Sequence, residues 1–242
     1  MRVVVLYSGG KDSHLALYRL LREGHEIVSL LTVIPEKPDS WMFHRPNVEL
    51  AGLQADCMGF PWQCVKVSGE KEKEVAELIP ALSQLKYQSK IEGVATGAIA
   101  SNYQKSRVEK LCDTLGLKHL SPLWGTPERE LLTEILNLKF EVYFTSVSAE
   151  GLDKDWLGKV LDLNRVNTLL KLREKYGLNP SGEGGEYETF VCDSPLFKRR
   201  LRVLEAETVW HHNSGIWNIK SIQIVEKIPL DRFGDSDEPP HE

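Results

Sequence analysis

The chain has 242 residues, enough for one large domain or two small ones, and its 41% apolar and 27% charged content is that of an ordinary globular protein. Its formal charge of −5 argues against nucleic-acid binding driven by bulk charge, though not against a local basic cleft. No apolar run approaches the ~20 residues of a membrane span, and the chain enters its first apolar run without a signal peptide, so a cytoplasmic protein with no membrane partner is expected.

The first ~120 residues alternate strand and helix signals, as stacked βαβ units on a parallel sheet require. Residues 3–7 form a continuous apolar run, typical of a strand buried on both faces. Helical spacing over 12–23 ends at Gly24. A second strand spans 27–34, a helix 48–58, a strand 62–67, and a long helix 70–88 whose Pro80 is expected to kink or split it. A brief strand at 93–97 leads into a helix at 103–115. The pattern then changes. A helix is expected to start with Thr126 at the N-cap and Pro127 at its first position. A strand at 140–147 and one or two helices over 153–176 follow. Strand-like runs lie at 187–191, 201–211 and 215–227, the last two as a hairpin turning at 212–215. The expectation is an α/β fold: a parallel-sheet domain over 1–120, a smaller α+β domain over 121–228, and a disordered tail over 229–242.

The segment Ser8-Gly9-Gly10-Lys11-Asp12-Ser13 joins the first strand to the first helix. Glycines let successive amides converge on an anion, and the helix N-terminus adds partial positive charge, so the loop suits phosphate. Ser8 and Ser13 offer hydroxyls and Lys11 a cation. Asp12 is repulsive beside phosphates unless a cation intervenes, which points to Mg²⁺, although a helix cap would also explain it. The loop is neither G-x-x-x-x-G-K-[ST] nor G-x-G-x-x-G. It resembles the S-G-G-x-D-S signature of the PP-loop ATP pyrophosphatase superfamily. That resemblance implies cleavage of ATP between the α- and β-phosphates, with a substrate oxygen adenylated and AMP then displaced by a nucleophile. In such proteins adenine is held at the end of the second strand, here Thr32 and Val33.

Two further segments, 96–109 (Thr96-Gly97-Ala98-Ile99-Ala100-Ser101-Asn102-Tyr103-Gln104-Lys105-Ser106-Arg107-Val108-Glu109) and Gly182-Glu183-Gly184-Gly185-Glu186-Tyr187-Glu188-Thr189-Phe190, resemble the diphthine–ammonia ligase family. So do Trp41-Met42-Phe43-His44 and Ser121-Pro122-Leu123-Trp124-Gly125, and all fall in the family's order over roughly 1–227. The chain is similar to the short, archaeal-type form, without the extra C-terminal domains of many eukaryotic members. The resemblance implies that ATP and ammonia convert the carboxylate of diphthine, a modified histidine on translation elongation factor 2, into the amide diphthamide through an acyl-adenylate, releasing AMP and pyrophosphate.

Beside it, the residues can be read physically. Gly97 would let backbone approach the nucleotide. Arg107 could grip a phosphate or substrate carboxylate, or be a solvated surface residue; no acidic neighbour lies one helical turn away. Asn102, Tyr103 and Gln104 could bind ribose or orient the acceptor, or Asn102 could cap its helix. Glu183, Glu186 and Glu188 crowd into six residues, and Glu186 and Glu188 share a face if one strand includes both. Diphthine carries a quaternary ammonium, so Glu186 or Glu188, with Tyr187 or Trp124, could receive it. A general base that deprotonates ammonium, or a merely solvated acidic turn, is the alternative. His44 could face the nucleotide or be structural, and His211-His212 lacks a third metal ligand.

Two rival functions differ in class. A tRNA-modifying PP-loop enzyme would favour paired cysteines and a basic patch. Here Cys57, Cys64, Cys112 and Cys192 form no C-x-x-C and read as buried reduced thiols, and Lys198-Arg199-Arg200 with Arg202 is the only dense basic cluster. A non-enzymatic ATP-binding module is the other. Exposed strand edges in the C-terminal hairpin suit a homodimer.

Overall fold

The computed structural model describes residues 1–36, 47–70, 73 and 75–227. The tail from residue 229 lies outside them. Sheet A is wholly parallel, in the order β3-β2-β1-β4-β5, from β1 (Arg2–Leu6), β2 (Glu26–Pro35), β3 (Trp62–Val67), β4 (Gly93–Ala95) and β5 (Lys118–Leu120). Its central strands are apolar throughout because both faces are covered: Val3, Val4 and Val5 are fully buried. On one face Val4, Leu31 and Val94 pack under α3 (Ile79–Ser89) and α4 (Asn102–Leu115). On the other, Val3, Val5 and Leu30 pack under α1 (Lys11–Arg22) and α2 (Ala51–Met58), and this core runs on into the second half of the chain.

Sheet B is antiparallel, in the order β7-β6-β9-β8, from β6 (Glu141–Val147), β7 (Tyr187–Asp193), β8 (Arg199–His211) and β9 (Ser214–Glu226). α5 (Glu128–Asn137) and α6 (Leu163–Tyr176) flank it. Phe144, Tyr187, Phe190 and Leu201 belong to the same buried cluster as Val3 and Leu15 of the first half, so one core ties the two sheets together.

The expected α/β and α+β halves are thus both present, with local differences. Pro80 sits in the first turn of α3, where its missing N–H costs nothing, and among the described residues a 3-10 turn at Ala76–Leu78 precedes that helix. Residues 48–58 divide into a 3-10 turn and α2. The N-cap of α5 is Pro127, not Thr126; the Thr126 hydroxyl instead accepts from Arg19 Nη1 at 3.2 Å. Residues 153–176 hold a 3-10 turn and one helix. β5 escaped the sequence reading: three residues, one exposed and two half-buried, carry too little pattern.

Candidate active site

Sheet A reverses its strand order at β1, and the crevice beyond such a reversal is where α/β sheets bind ligands. The loops after β1 and β4 flank it. Together they open a cleft of about 930 Å³, counted out to solvent. Ser8, Gly10, Lys11, Asp12 and Ser13 line one side; Thr96, Gly97, Ala98 and Gln104 line a second; Gly182, Glu183, Tyr187, Glu188 and Thr189 bring in the C-terminal half. Leu6, Leu31, Val33 and Val108 supply an apolar portion.

The loop before α1 is held by its own side chains and by the C-terminal sheet. Ser13 Oγ accepts from Ser8 N at 3.2 Å and donates to Gly10 O at 3.1 Å. Gly9 has φ +83°, and a Cβ there would lie 2.5 Å from Gln54 Oε1, so only glycine fits. The Gly9 carbonyl accepts from Val191 N at 3.0 Å and from Gln54 Nε2 at 2.9 Å. Lys11 N donates to Thr189 Oγ1 at 3.1 Å. The Lys11 ammonium, only 2% exposed, pairs with Asp12 at 2.8 Å, donates to Ser181 O, and lies 5.0 Å from the centre of the Tyr187 ring. Burying a cation demands such a set of partners.

The acidic segment does not form one cluster. The Glu183 carboxylate accepts from the amides of Ile99 at 2.7 Å, Ala100 at 2.8 Å and Ser101 at 3.1 Å. Glu186 accepts from Asn179 N at 3.1 Å, folded back over Gly184. Glu188 lines the cleft. β7 begins at Tyr187, so the shared face expected of Glu186 and Glu188 does not arise. Each carboxylate has its own surroundings, and among the described residues no group of three His, Cys, Asp or Glu could hold a metal ion.

Family models described as the diphthamide synthase N-terminal domain and the diphthamide synthase C-terminal domain match residues 1–119 and 127–225. The chain belongs to the diphthamide synthase family. It is 38% identical over 230 residues to the diphthine–ammonia ligase of Rattus norvegicus, spanning 87% of this chain and 86% of that one. To the diphthine–ammonia ligase of Homo sapiens it is 34% identical over 245 residues, spanning 93% and 91%. A solved structure described as a predicted subunit of tRNA methyltransferase from Methanocaldococcus jannaschii is 18% identical with a TM-score of 0.42, covering 81% of this chain and 98% of that one; a likeness at that level bears on neither substrate nor activity.

In this member of the family the remaining candidates divide. Gln104 faces the cleft, whereas Asn102, Tyr103 and Arg107 are not among its lining residues. Arg107 has a local partner after all: its guanidinium stacks 3.4 Å from the centre of the Tyr103 ring and Nη1 donates to Tyr103 O, the carbonyl one turn back. Ser101, not Asn102, caps α4 by accepting from Gln104 N. Gly97 lines the cleft, but its tightest constraint is protein: a Cβ there would lie 2.7 Å from Asp12 C and Ser13 N. Val33 lines the cleft; the Thr32 hydroxyl points elsewhere, donating to Tyr7 O and accepting from Trp62 Nε1, both at 2.8 Å. Tyr187 is 2% exposed, its hydroxyl donating to Pro180 O at 2.6 Å and its proton held well above the usual tyrosine range by burial. Its ring lines the cleft and lies beside the Lys11 ammonium. Trp124 is half-buried, with Lys105 Nζ 4.2 Å from its ring centre. His44 lies outside the described residues.

Several residues behind the site went unnoticed in the sequence: Gln54 and Ser181, and the pair His14 and Ser194 beneath the lining residue Tyr7. His14 is fully buried between Tyr7 OH, 2.9 Å from Nδ1, and Ser194 Oγ, 2.6 Å from Nε2. Burial lowers its pKa to about 3. Cys57 and Cys112 are buried, their thiols pushed up to about 11 and about 12, and Cys192 is raised further; Cys64, expected to be buried, is exposed on β3. In the basic cluster Arg199 pairs with Asp56 at 3.0 Å and Arg200 with Glu141 at 2.7 Å.

Proposed function

We propose that this chain is an ATP-dependent diphthine–ammonia ligase, amidating diphthine on translation elongation factor 2 through an acyl-adenylate and releasing AMP and pyrophosphate. One observation carries the reading: three motifs far apart in sequence, 8–13, 96–104 and 182–189, line a single cleft in a chain whose relatives bear that activity in their names.

The cleft's chemistry supports roles for its residues. The loop amides and Ser8 and Ser13 suit the β- and γ-phosphates at the α1 N-terminus. Leu6, Leu31, Val33 and Val108 suit adenine, with Val33 at the end of the second strand among them. Lys11 neutralises phosphate charge by turning from Asp12, whose carboxylate would then hold Mg²⁺ together with phosphate oxygens, a donor set that ion accepts. Glu188 serves the acceptor side, as partner of the substrate's cationic group or as base toward ammonium. Ammonia enters from solution, and the protein acts in the cytoplasm; among the described residues no helix is long and apolar enough to cross a membrane.

The test is pyrophosphate release and amide formation with diphthine-bearing elongation factor 2, with and without ammonium, and separately with tRNA. ATP-dependent amide formation supports the ligase. Pyrophosphate released only with tRNA, or under no condition, overturns it in favour of a tRNA-modifying enzyme or a nucleotide-binding module respectively.

A further inference from the structure

The carboxylate of Glu183 belongs to the C-terminal half but is held entirely by the N-terminal half. Its three amide donors, Ile99, Ala100 and Ser101, are consecutive and end at the N-cap of α4, so charge-assisted hydrogen bonds and the helix dipole act together on it. The turn that carries it is compact, closed by Gly182 N to Asn179 O at 2.9 Å and Gly185 N to Gly182 O at 3.0 Å. Six residues later the same segment grips the opposite lip of the cleft, where Thr189 Oγ1 accepts from Lys11 N and Val191 N donates to Gly9 O. Residues 182–191 are therefore a strap fastened at both ends, to the phosphate loop and to α4, with Glu188 between the fastenings.

We propose that Glu183 is a positioning residue: by tethering the 182–185 turn to residues 99–101, its carboxylate sets the spacing between the phosphate loop and the wall that carries Glu188. Two consequences follow. Glu183 presents no free negative charge to an acceptor, and the amides before α4 are not available to a phosphate. Catalysis by positioning is steeply sensitive to such spacing; a displacement of about 1 Å costs about a hundredfold.

A tether and a mere counter-charge at the α4 N-terminus predict different things. The variants are Glu183→Ala, Glu183→Asp and Glu183→Gln, each with and without added acetate at constant ionic strength. Three quantities are read: amide hydrogen exchange at 99–101, ATP affinity by calorimetry, and kcat/KM for the diphthine-bearing acceptor. In Glu183→Ala, exchange at 99–101 should accelerate about tenfold or more, ATP affinity should stay within about threefold, and kcat/KM for the acceptor should fall about a hundredfold. Gln keeps the length and one acceptor oxygen and should restore part of both losses. Asp keeps the charge but is one methylene short and should restore little, and acetate should rescue nothing. Restoration by Asp or acetate would show that charge alone matters and overturn the proposal. So would unchanged exchange in Glu183→Ala, or ATP affinity falling in step with kcat/KM. The kinetic readout rests on the ligase reading; the exchange readout does not. Wild-type protein that forms no amide sinks that reading while the exchange data still decide the tether.

Discussion

Replacing His14 by Gln should flatten the acid side of the stability profile. A neutral ring satisfies both neighbours in either tautomer, one ring nitrogen donating and the other accepting between Tyr7 OH and Ser194 Oγ. A protonated ring carries two donors, so both hydroxyl oxygens would have to accept and the hydroxyl that had donated to the ring would lose its acceptor. Phe140 and Phe197, with ring centroids 5.0 and 5.5 Å away, supply no compensating charge. The folded protein thus resists protonation down to about 3, while the unfolded chain takes up a proton near 6.5. Below 6.5 the unfolded state binds more protons, so stability falls as pH falls, by about 1.4 kcal/mol per pH unit down to about 3. At pH 5 the loss is about 2 kcal/mol relative to neutral pH. Urea unfolding of wild type and His14→Gln between about pH 7.5 and 5 measures it. The other histidines are common to both proteins and cancel in the difference. The variant should start lower at neutral pH, because it loses buried hydrogen bonds, and then decline less steeply. Parallel curves would refute the buried neutral imidazole.

Three further outcomes are expected. Gly97→Ala should weaken ATP binding by more than about tenfold in calorimetry, because a Cβ 2.7 Å from Asp12 C and Ser13 N must displace the α1 N-terminus; such overpacking also costs about 1–3 kcal/mol of stability. Gln54→Leu leaves Val191 O without its 2.7 Å donor and removes one of two donors to Gly9 O; about 1–3 kcal/mol should be lost in urea unfolding and the KM for ATP should rise several-fold. Glu188→Gln should cost about 10²–10⁴-fold in amidation with ATP affinity intact, whereas Glu186→Gln, which keeps an acceptor for Asn179 N, should cost little. Abolition of amidation by Glu186→Gln alone would reverse that assignment.

The parallel sheet was readable because burial on both faces leaves unbroken apolar runs such as Val3-Val4-Val5, and because Pro80 announces a break in helical spacing. β5 was not readable: Lys118 and His119 look like loop residues, and only pairing with β4 makes them a strand. The motif loops were conspicuous in sequence, since glycines beside charged residues are rare outside turns. Their partners were not. Gln54 looks like any polar residue on a helix, and its full burial depends on Val191, 137 positions away. Local spacing suggested that Arg107 lacks an ionic partner, but an aromatic face and a carbonyl can take that place. Glu183 was grouped with Glu186 and Glu188 by proximity in sequence, whereas the chain turns Glu183 to the amides of 99–101, Glu186 to Asn179 N and Glu188 to the cleft.

The bond from Val191 N to Gly9 O makes the phosphate loop an honorary part of the C-terminal sheet. Six residues with two adjacent glycines would be slack if anchored only at β1 and α1. Here the loop inherits its stiffness from β7, and through β7 from β6 and β9. The grip on nucleotide is therefore tunable from a distance. Changes that loosen the pairing of β6 with β7, remote from any phosphate, would soften the loop, while the loop's own sequence could stay unchanged.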